Sequence, residues 1–158
     1  MKFITDGMLG KLTRWLRMLG CDVEYSRSLG DRQLIETAKA ESRVLLTRDQ
    51  ELYQRAVKHG IDAFLIEGET EAKNLANLAK RLNLKLEIDV AISRCPKCNT
   101  KIRPISKKTV VGRVPQGTLS RYEEFWECPG CGQIYWQGAH WKRIEKTLRE
   151  ARRIVEPQ

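Results

Sequence analysis

Four short strand-like runs, FIT at 3–5, DVEY at 22–25, VLLT at 44–47 and AFLI at 63–66, alternate with stretches whose apolar residues recur at helical spacing. In the first such stretch the repeat is Leu12, Trp15, Leu16, Leu19, which lines up on one helix face. The helical stretches are Leu9–Leu19, Asp31–Glu41, Gln50–His59 and Glu71–Leu82. A strand-helix order repeated four times predicts an α/β fold: a doubly wound, mainly parallel sheet with helices on both faces and right-handed crossovers. Val44–Thr47 is almost wholly apolar, as a strand covered on both faces has to be.

That topology puts the carboxyl ends of the strands on one edge, and ligands bind there where the strand order reverses. Three aspartates follow strand ends. Asp6 comes directly after Phe3-Ile4-Thr5, Asp49 follows Val44–Thr47, and Asp31 follows the second strand after the loop Ser26-Arg27-Ser28-Leu29-Gly30. With the second strand on one side of the first and the third on the other, Asp6 and Asp49 flank the crevice and Asp31 overlooks it. Asp31 and Asp49 also precede helices, where aspartate is a favoured N-cap, so each has a structural reading beside the functional one. Asp6 has glycine after it and no helix at once. Clustered carboxylates repel unless a cation neutralises them, and the ion suited to an oxygen donor set is Mg²⁺ or Mn²⁺. Such an ion supports phosphodiester hydrolysis by lowering the pKa of bound water and neutralising phosphate charge. Lys11, on the first turn beside Asp6, reads equally as a phosphate contact and as a solvated helix lysine. His59 and His140 lie in different parts of the chain, which gives a paired-histidine mechanism little support.

From Arg94 the texture changes. "RCPKCN" and "ECPGCG" are two Cys-x-x-Cys knuckles, Cys95/Cys98 and Cys128/Cys131, with 29 residues between them. Four thiolates at about 2.3 Å from one ion make a closed tetrahedral zinc site, which stabilises and does not catalyse; iron or a redox pair is the alternative use of such knuckles, and two copies, each with Pro after its first Cys, favour zinc. The long insert leaves room for a hairpin. Cys21, before a strand, reads as a buried thiol. Trp141 to Val155 carries Trp141, Ile144, Leu148 and Ala151 at helical spacing among six Lys/Arg, so it predicts a basic amphipathic helix. The expected division is residues 1–90 and 91–158, joined through EIDVAISRC.

The formal net charge of +9 is uneven: residues 1–90 hold 15 Lys/Arg against 14 Asp/Glu, and residues 91–158 hold 14 against 6. A surface of that density attracts polyanions, nucleic acid first. Lys107, Lys108 and Arg113, between the knuckles, are the expected RNA contacts. Tyr135, Trp136 and Trp141 have two readings, base stacking and packing around the zinc. There is no apolar run of about eighteen residues, and the first twenty residues carry Lys2, Asp6, Lys11, Arg14 and Arg17. Neither a membrane span nor a secretory signal is expected, and the expected location is cytoplasmic.

The segments FITDGMLGKLTRWLRMLGCDVEY, GDRQLIETAKAESRVLLTRDQEL, RCPKCN, GRVP and FWECPGCGQIYWQGAHW together resemble the Mut-seven C-terminal ribonuclease domain family, a PIN-like nuclease fold with a fused zinc ribbon. The resemblance runs over nearly the whole chain. It implies an acidic site at Asp6, Asp31 and Asp49 with Lys11 and Arg48 beside it, and zinc on the four cysteines. PIN-type nucleases usually present a fourth acidic residue; Glu36 is a weak match, which leaves one- and two-metal catalysis both open. The expected function is a divalent-metal-dependent endoribonuclease whose zinc ribbon aids RNA binding, with RNA, the ribosome or tRNA as partner. Two alternatives stand beside it: a non-catalytic RNA- or ribosome-binding module, and a phosphoacceptor domain. The last wants a second acid next to Asp6, where Gly7 stands.

Overall fold

The computed structural model describes residues 1–156; Pro157 and Gln158, at the end of the expected second unit, lie outside the described residues. The alternation read from the sequence is present as β1 (Lys2–Thr5), α1 (Gly10–Met18), β2 (Asp22–Tyr25), α2 (Asp31–Glu41), β3 (Val44–Thr47), α3 (Gln50–Lys58), β4 (Ala63–Leu65) and α4 (Glu71–Leu82). The strands form one parallel sheet in the order β2-β1-β3-β4. The order reverses at β1, as a doubly wound sheet requires.

Side chains of successive strand residues point to opposite faces, and the core divides accordingly. Phe3, Val23 and Leu46 pack with residues of α1 and α4 on one face, whereas Ile4 and Leu45 pack with Leu34, Ile35, Leu52 and Ala56 of α2 and α3 on the other. Phe3, Ile4, Val23, Leu45 and Leu46 are fully buried. That is why β1 and β3 read as apolar runs and not as alternating ones, whereas β2, at the edge of the sheet, buries only Val23 fully.

The rest of the chain forms β5 (Arg103–Ile105), a 3₁₀ turn (Lys107–Val110), α5 (Gln116–Arg121), β6 (Phe125–Glu127), β7 (Ile134–Tyr135) and α6 (Ala139–Val155). The three strands make a small antiparallel sheet in the order β5-β6-β7, over a core of Val110, Phe125 and Ile134. The basic amphipathic helix is found, beginning two residues earlier than expected. Ile144, Leu148 and Ala151 bury their stripe in the main core beside Leu75, Ala76 and Ala79 of α4. The chain thus crosses into the small sheet and returns to the first core. Alanines on both helices permit close approach, and truncating the fully buried Leu148 to alanine removes contacts on the order of 2–5 kcal/mol.

Side chains fasten the small sheet to the large one. Buried Arg17 donates through Nε and Nη2 to Val23 O at 3.1 and 2.7 Å and through Nη1 to Pro96 O at 3.0 Å. Asn99 accepts from Val23 N at 3.0 Å and donates to Asp22 Oδ1 at 2.8 Å, which satisfies the edge of β2 that no strand covers. Arg43 Nη1 reaches the same Asp22 Oδ1 at 2.9 Å.

Candidate functional site

Asp6 sits where β1 ends and is 8% exposed. Burying a carboxylate without partners costs several kcal/mol, and here the chain itself supplies the partners. Oδ1 accepts from Met8 N at 2.9 Å; Oδ2 accepts from Arg48 N at 3.1 Å and from the Thr47 hydroxyl. Thr47, fully buried, in turn accepts from Asp49 N at 3.0 Å. Thr47 therefore ties the ends of β1 and β3 together through one hydroxyl. Three hydrogen bonds, and not a cation alone, explain why this buried charge is tolerated.

Asp31, Asp49 and Asp6 all follow strand ends on this edge, yet their local engagements differ. Asp49 is the N-cap of α3, its Oδ1 accepting from Glu51 N at 2.9 Å and Leu52 N at 3.3 Å, which is the capping geometry that shields orphan amides. Asp31 is not a cap: Gly30 holds that position, and Asp31 is the first helical residue. It pairs with Arg55 at 3.4 Å, both side chains about half exposed. Glu36 pairs with Arg32 one turn along α2, on an exposed face. Among the described residues, Cys95, Cys98, Cys128 and Cys131 are the one group of potential ligand atoms lying within 4.8 Å of one another. The aspartates share an edge without forming such a cluster.

The same edge holds an acid that the sequence reading passed over. Glu71 opens α4 after Thr70, the N-cap whose hydroxyl accepts from Lys73 N at 3.2 Å. Its Oε2 is buried without a partner. Burial raises the Glu71 carboxyl above its ordinary range, against the opposing pull of Arg48 and Lys11. It also lines an open groove of about 370 Å³ with Lys11, Arg14, Thr70, His140 and Thr147. Glu71 stands six residues past the end of β4, as Asp31 stands six past the end of β2, but Glu67 and Glu69 lie nearer the strand, so strand-end position alone does not single it out. The exposed Arg48 donates from its guanidinium to Ile66 O and Gly68 O, at 3.3 Å each.

The four cysteines converge as the knuckle spacing implies. Cys95 Sγ lies 3.7 Å from Cys131 Sγ, and Cys98 Sγ 3.3 Å from Cys128 Sγ. The two turns are built alike: Asn99 N donates to Cys95 O and Gly132 N to Cys128 O at 2.8 Å each, with φ of 74° and 80° at Asn99 and Gly132. A Cβ on Gly130 would stand 2.5 Å from Thr100 Oγ1, so only glycine fits between the knuckles. Hydrogen bonds from Thr100 lower the Cys98 thiol to about 6, while burial pushes Cys128 up to about 12. An all-sulfur set of this size fits zinc. Cys21 is a buried thiol outside the cluster, raised to about 11 by burial.

Of the expected RNA contacts, Lys107 pairs with Glu123 at 2.7 Å, and Arg113 pairs with Glu127 at 3.2 Å. Lys108 is exposed. Of the two readings of the aromatics, packing is the one these contacts express: Trp136 packs against Phe125 with centroids 6.3 Å apart, and the Tyr135 hydroxyl lies 2.9 Å from Cys95 Sγ. Trp141 is half-buried on α6. No helix among the described residues is long and apolar enough to cross a membrane.

Neither the curated proteins nor the solved structures provide a match to this chain. A family model does, and it covers both the sheet edge with its acids and the cysteine knuckles. The Mut7-C RNAse domain matches residues 1–148, and the chain belongs to that family.

Proposed function

We propose that the protein is a divalent-metal-dependent endoribonuclease, built from a nuclease unit at residues 1–90 and a zinc ribbon at 91–158 that aids RNA binding. Family membership supports a ribonuclease-like function. The observation that carries the site is Asp6: a buried carboxylate at the strand-order reversal, fixed by three donors, with Asp49 linked to it through Thr47. The donor set on this edge is all oxygen. That suits Mg²⁺ or Mn²⁺, which keep several waters and need only one or two carboxylates besides substrate phosphate. Asp6 and Asp49, with Asp31 across the edge, would hold the ion. When bound, it would supply an acidified water and neutralise phosphate charge.

The chain's own part is positioning. Thr47 and the two backbone amides prevent Asp6 from turning away, which is the preorganisation a reaction centre needs. Lys11, exposed in the groove, and Arg48 present cations to an RNA phosphate. Lys108 and the exposed Lys142, Arg143, Lys146 and Arg149 of α6 add non-specific attraction to the backbone. Attack by water predicts products with a 5′-phosphate and a 3′-hydroxyl. A ribosome or tRNA partner belongs to the same proposal, as does a cytoplasmic location.

A second reading, a non-catalytic RNA-binding module, is favoured by the capping role of Asp49 and the Arg55 pair of Asp31. Incubation with labelled single-stranded RNA, with and without Mn²⁺, separates the two. Nuclease action predicts metal-dependent cleavage that Asp6→Asn abolishes, with RNA affinity retained. Asp31→Ala and Asp49→Ala should also cut activity, and the latter should lose about 1 kcal/mol of stability with its cap. If all three variants cleave at the wild-type rate, the site is wrong; if none, wild type included, cleaves, the binding module takes its place.

A further inference from the structure

We propose that a cavity in the seam between the two sheets seats one unpaired base of the RNA. This proposal rests on the ribonuclease reading for its ligand class. The cavity, of about 190 Å³, is walled by Trp126, Tyr135, Trp136 and Trp141, with Arg94 and His140 among its lining residues. Trp126 and Tyr135 face each other across adjacent strands. Protein interiors are packed to near-crystalline density. Aromatics serving only as a core would close on one another; these leave open space instead. The volume falls below the roughly 300 Å³ at which sites for drug-sized ligands begin, which matches a single flat ring system and excludes an extended ligand.

Three features select a base over another apolar group. Aromatic walls stack on any nucleobase, because every base has a π-face. Arg94, Gln137 and His140 place polar side chains among the lining residues, partners for the polar edge of a base that a purely apolar group would leave unused. The third is continuity. Met18, His140 and Ile144 line both this cavity and the groove that holds Lys11, Arg14 and Glu71, and Glu71 in turn lies under the charge of Arg48, whose amide holds Asp6. A nucleotide with its base in the seam would lay its backbone in a channel bearing cations and leading to the strand-end acids. A protein side chain would have no use for that channel.

The test uses the full-length, zinc-loaded protein and a short fluorescent single-stranded RNA without added Mg²⁺ or Mn²⁺, so that binding is read apart from cleavage. Affinity is measured by anisotropy for the intact RNA and for copies each carrying one abasic nucleotide. In the wild-type protein, one abasic position should weaken binding by about fivefold to a hundredfold, the range for one base-aromatic stack. Trp141→Ala should weaken the intact RNA by a similar factor and make that abasic substitution silent, whereas Trp141→Phe should retain most of the affinity. Val90→Phe, which adds bulk to the cavity lining, should reproduce the loss without removing an aromatic wall. Zinc content and melting temperature, measured on each variant, identify a protein that has lost its fold; Val90→Phe then decides. Wild-type affinity in folded Trp141→Ala and Val90→Phe overturns the proposal, as does an abasic effect that persists in both, or a wild-type protein that binds no RNA. Metal-dependent cleavage beside unaffected cavity variants would sink the base site alone. Weakened variants beside an inactive wild type would keep the base site and sink the catalytic reading.

Discussion

Replacing Thr47 with valine removes one hydroxyl and almost no volume, which makes it a clean probe of how Asp6 is held. The hydroxyl donates to Asp6 Oδ2 and accepts from Asp49 N at 3.0 Å, and Thr47 is fully buried. A hydrogen bond to a charged group contributes about 1.5–3 kcal/mol. The Asp49 amide, closer to solvent, loses about 0.5–1 kcal/mol with its acceptor. The sum is a destabilisation of about 2–4 kcal/mol. Equilibrium unfolding in urea, followed by circular dichroism, should show a lower midpoint with an unchanged slope, since the surface exposed on unfolding is the same. Mn²⁺-dependent cleavage should fall as well, because the carboxylate loses one of its three fixed donors and gains freedom to rotate. A loss below about 0.5 kcal/mol would refute the bridge. It would mean that water replaces the hydroxyl at no cost, and that the end of β1 is wetter than its burial implies.

Cys98→Ser should release zinc and collapse β5, β6 and β7, since metal binding there is folding energy. α6 should stay helical, because its buried stripe belongs to the first core; metal analysis with amide exchange reads both, and a zinc-free ribbon that keeps its protection would contradict the assignment. Glu71→Gln tests the raised carboxyl. Because folding raises the proton affinity of Glu71, ionisation opposes the folded state, and the stability it withdraws grows as pH rises past the ordinary carboxylate range. The variant should therefore melt higher than wild type at pH 7 and equally below about pH 4, and a lower melting point at pH 7 would show that Arg48 and Lys11 outweigh desolvation. Reversing charge at Lys108, with Lys107 and Arg113 kept, should weaken RNA affinity and reduce its salt dependence by about one released counterion. An unchanged salt slope would move the binding surface to α6.

The sheet was legible because β1 and β3 are short, apolar and buried on both faces, and because each strand is followed by a helix whose stripe matches the face it covers. Phe3 and Leu46 could be assigned to the core, yet nothing in their pattern says which face each takes; that follows from pairing, which puts Thr5 opposite Leu46 and Ile4 opposite Leu45. The knuckles were legible because four thiolates at this spacing have one common use. The aspartates were legible as an edge and not as a geometry. Whether Asp49 turns outward to an ion or inward to cap α3 depends on a rotamer, and sequence position fixes only the Cα. Glu71 was missed for a related reason: an acid in the first turn of a helix reads as a favourable charge near the dipole, and only three-dimensional neighbours show that its Oε2 is buried without a partner.

The return of α6 to the first core gives the zinc knuckles a role beyond the small sheet. The segment from Ser93 to Gly138 is anchored at both ends on the first core: Ser93 Oγ donates to Met18 O at 2.7 Å and Arg94 N to Arg17 O at 2.9 Å, and α6 packs on α4 through Ile144, Leu148 and Ala151. Between those anchors the small core holds Val110, Phe125 and Ile134 as its buried members, too little apolar burial to fold such a segment unaided. Four thiolates on one ion would supply the missing closure. The aromatic cavity lies in the seam this closure would define, with Trp126 and Tyr135 contributed by the small sheet and Met18 and Ile144 by the first core. A closed zinc site, which performs no chemistry, would thus act on the surface by fixing the shape of this seam. Binding affinity and zinc occupancy should fall together, and for the same structural reason.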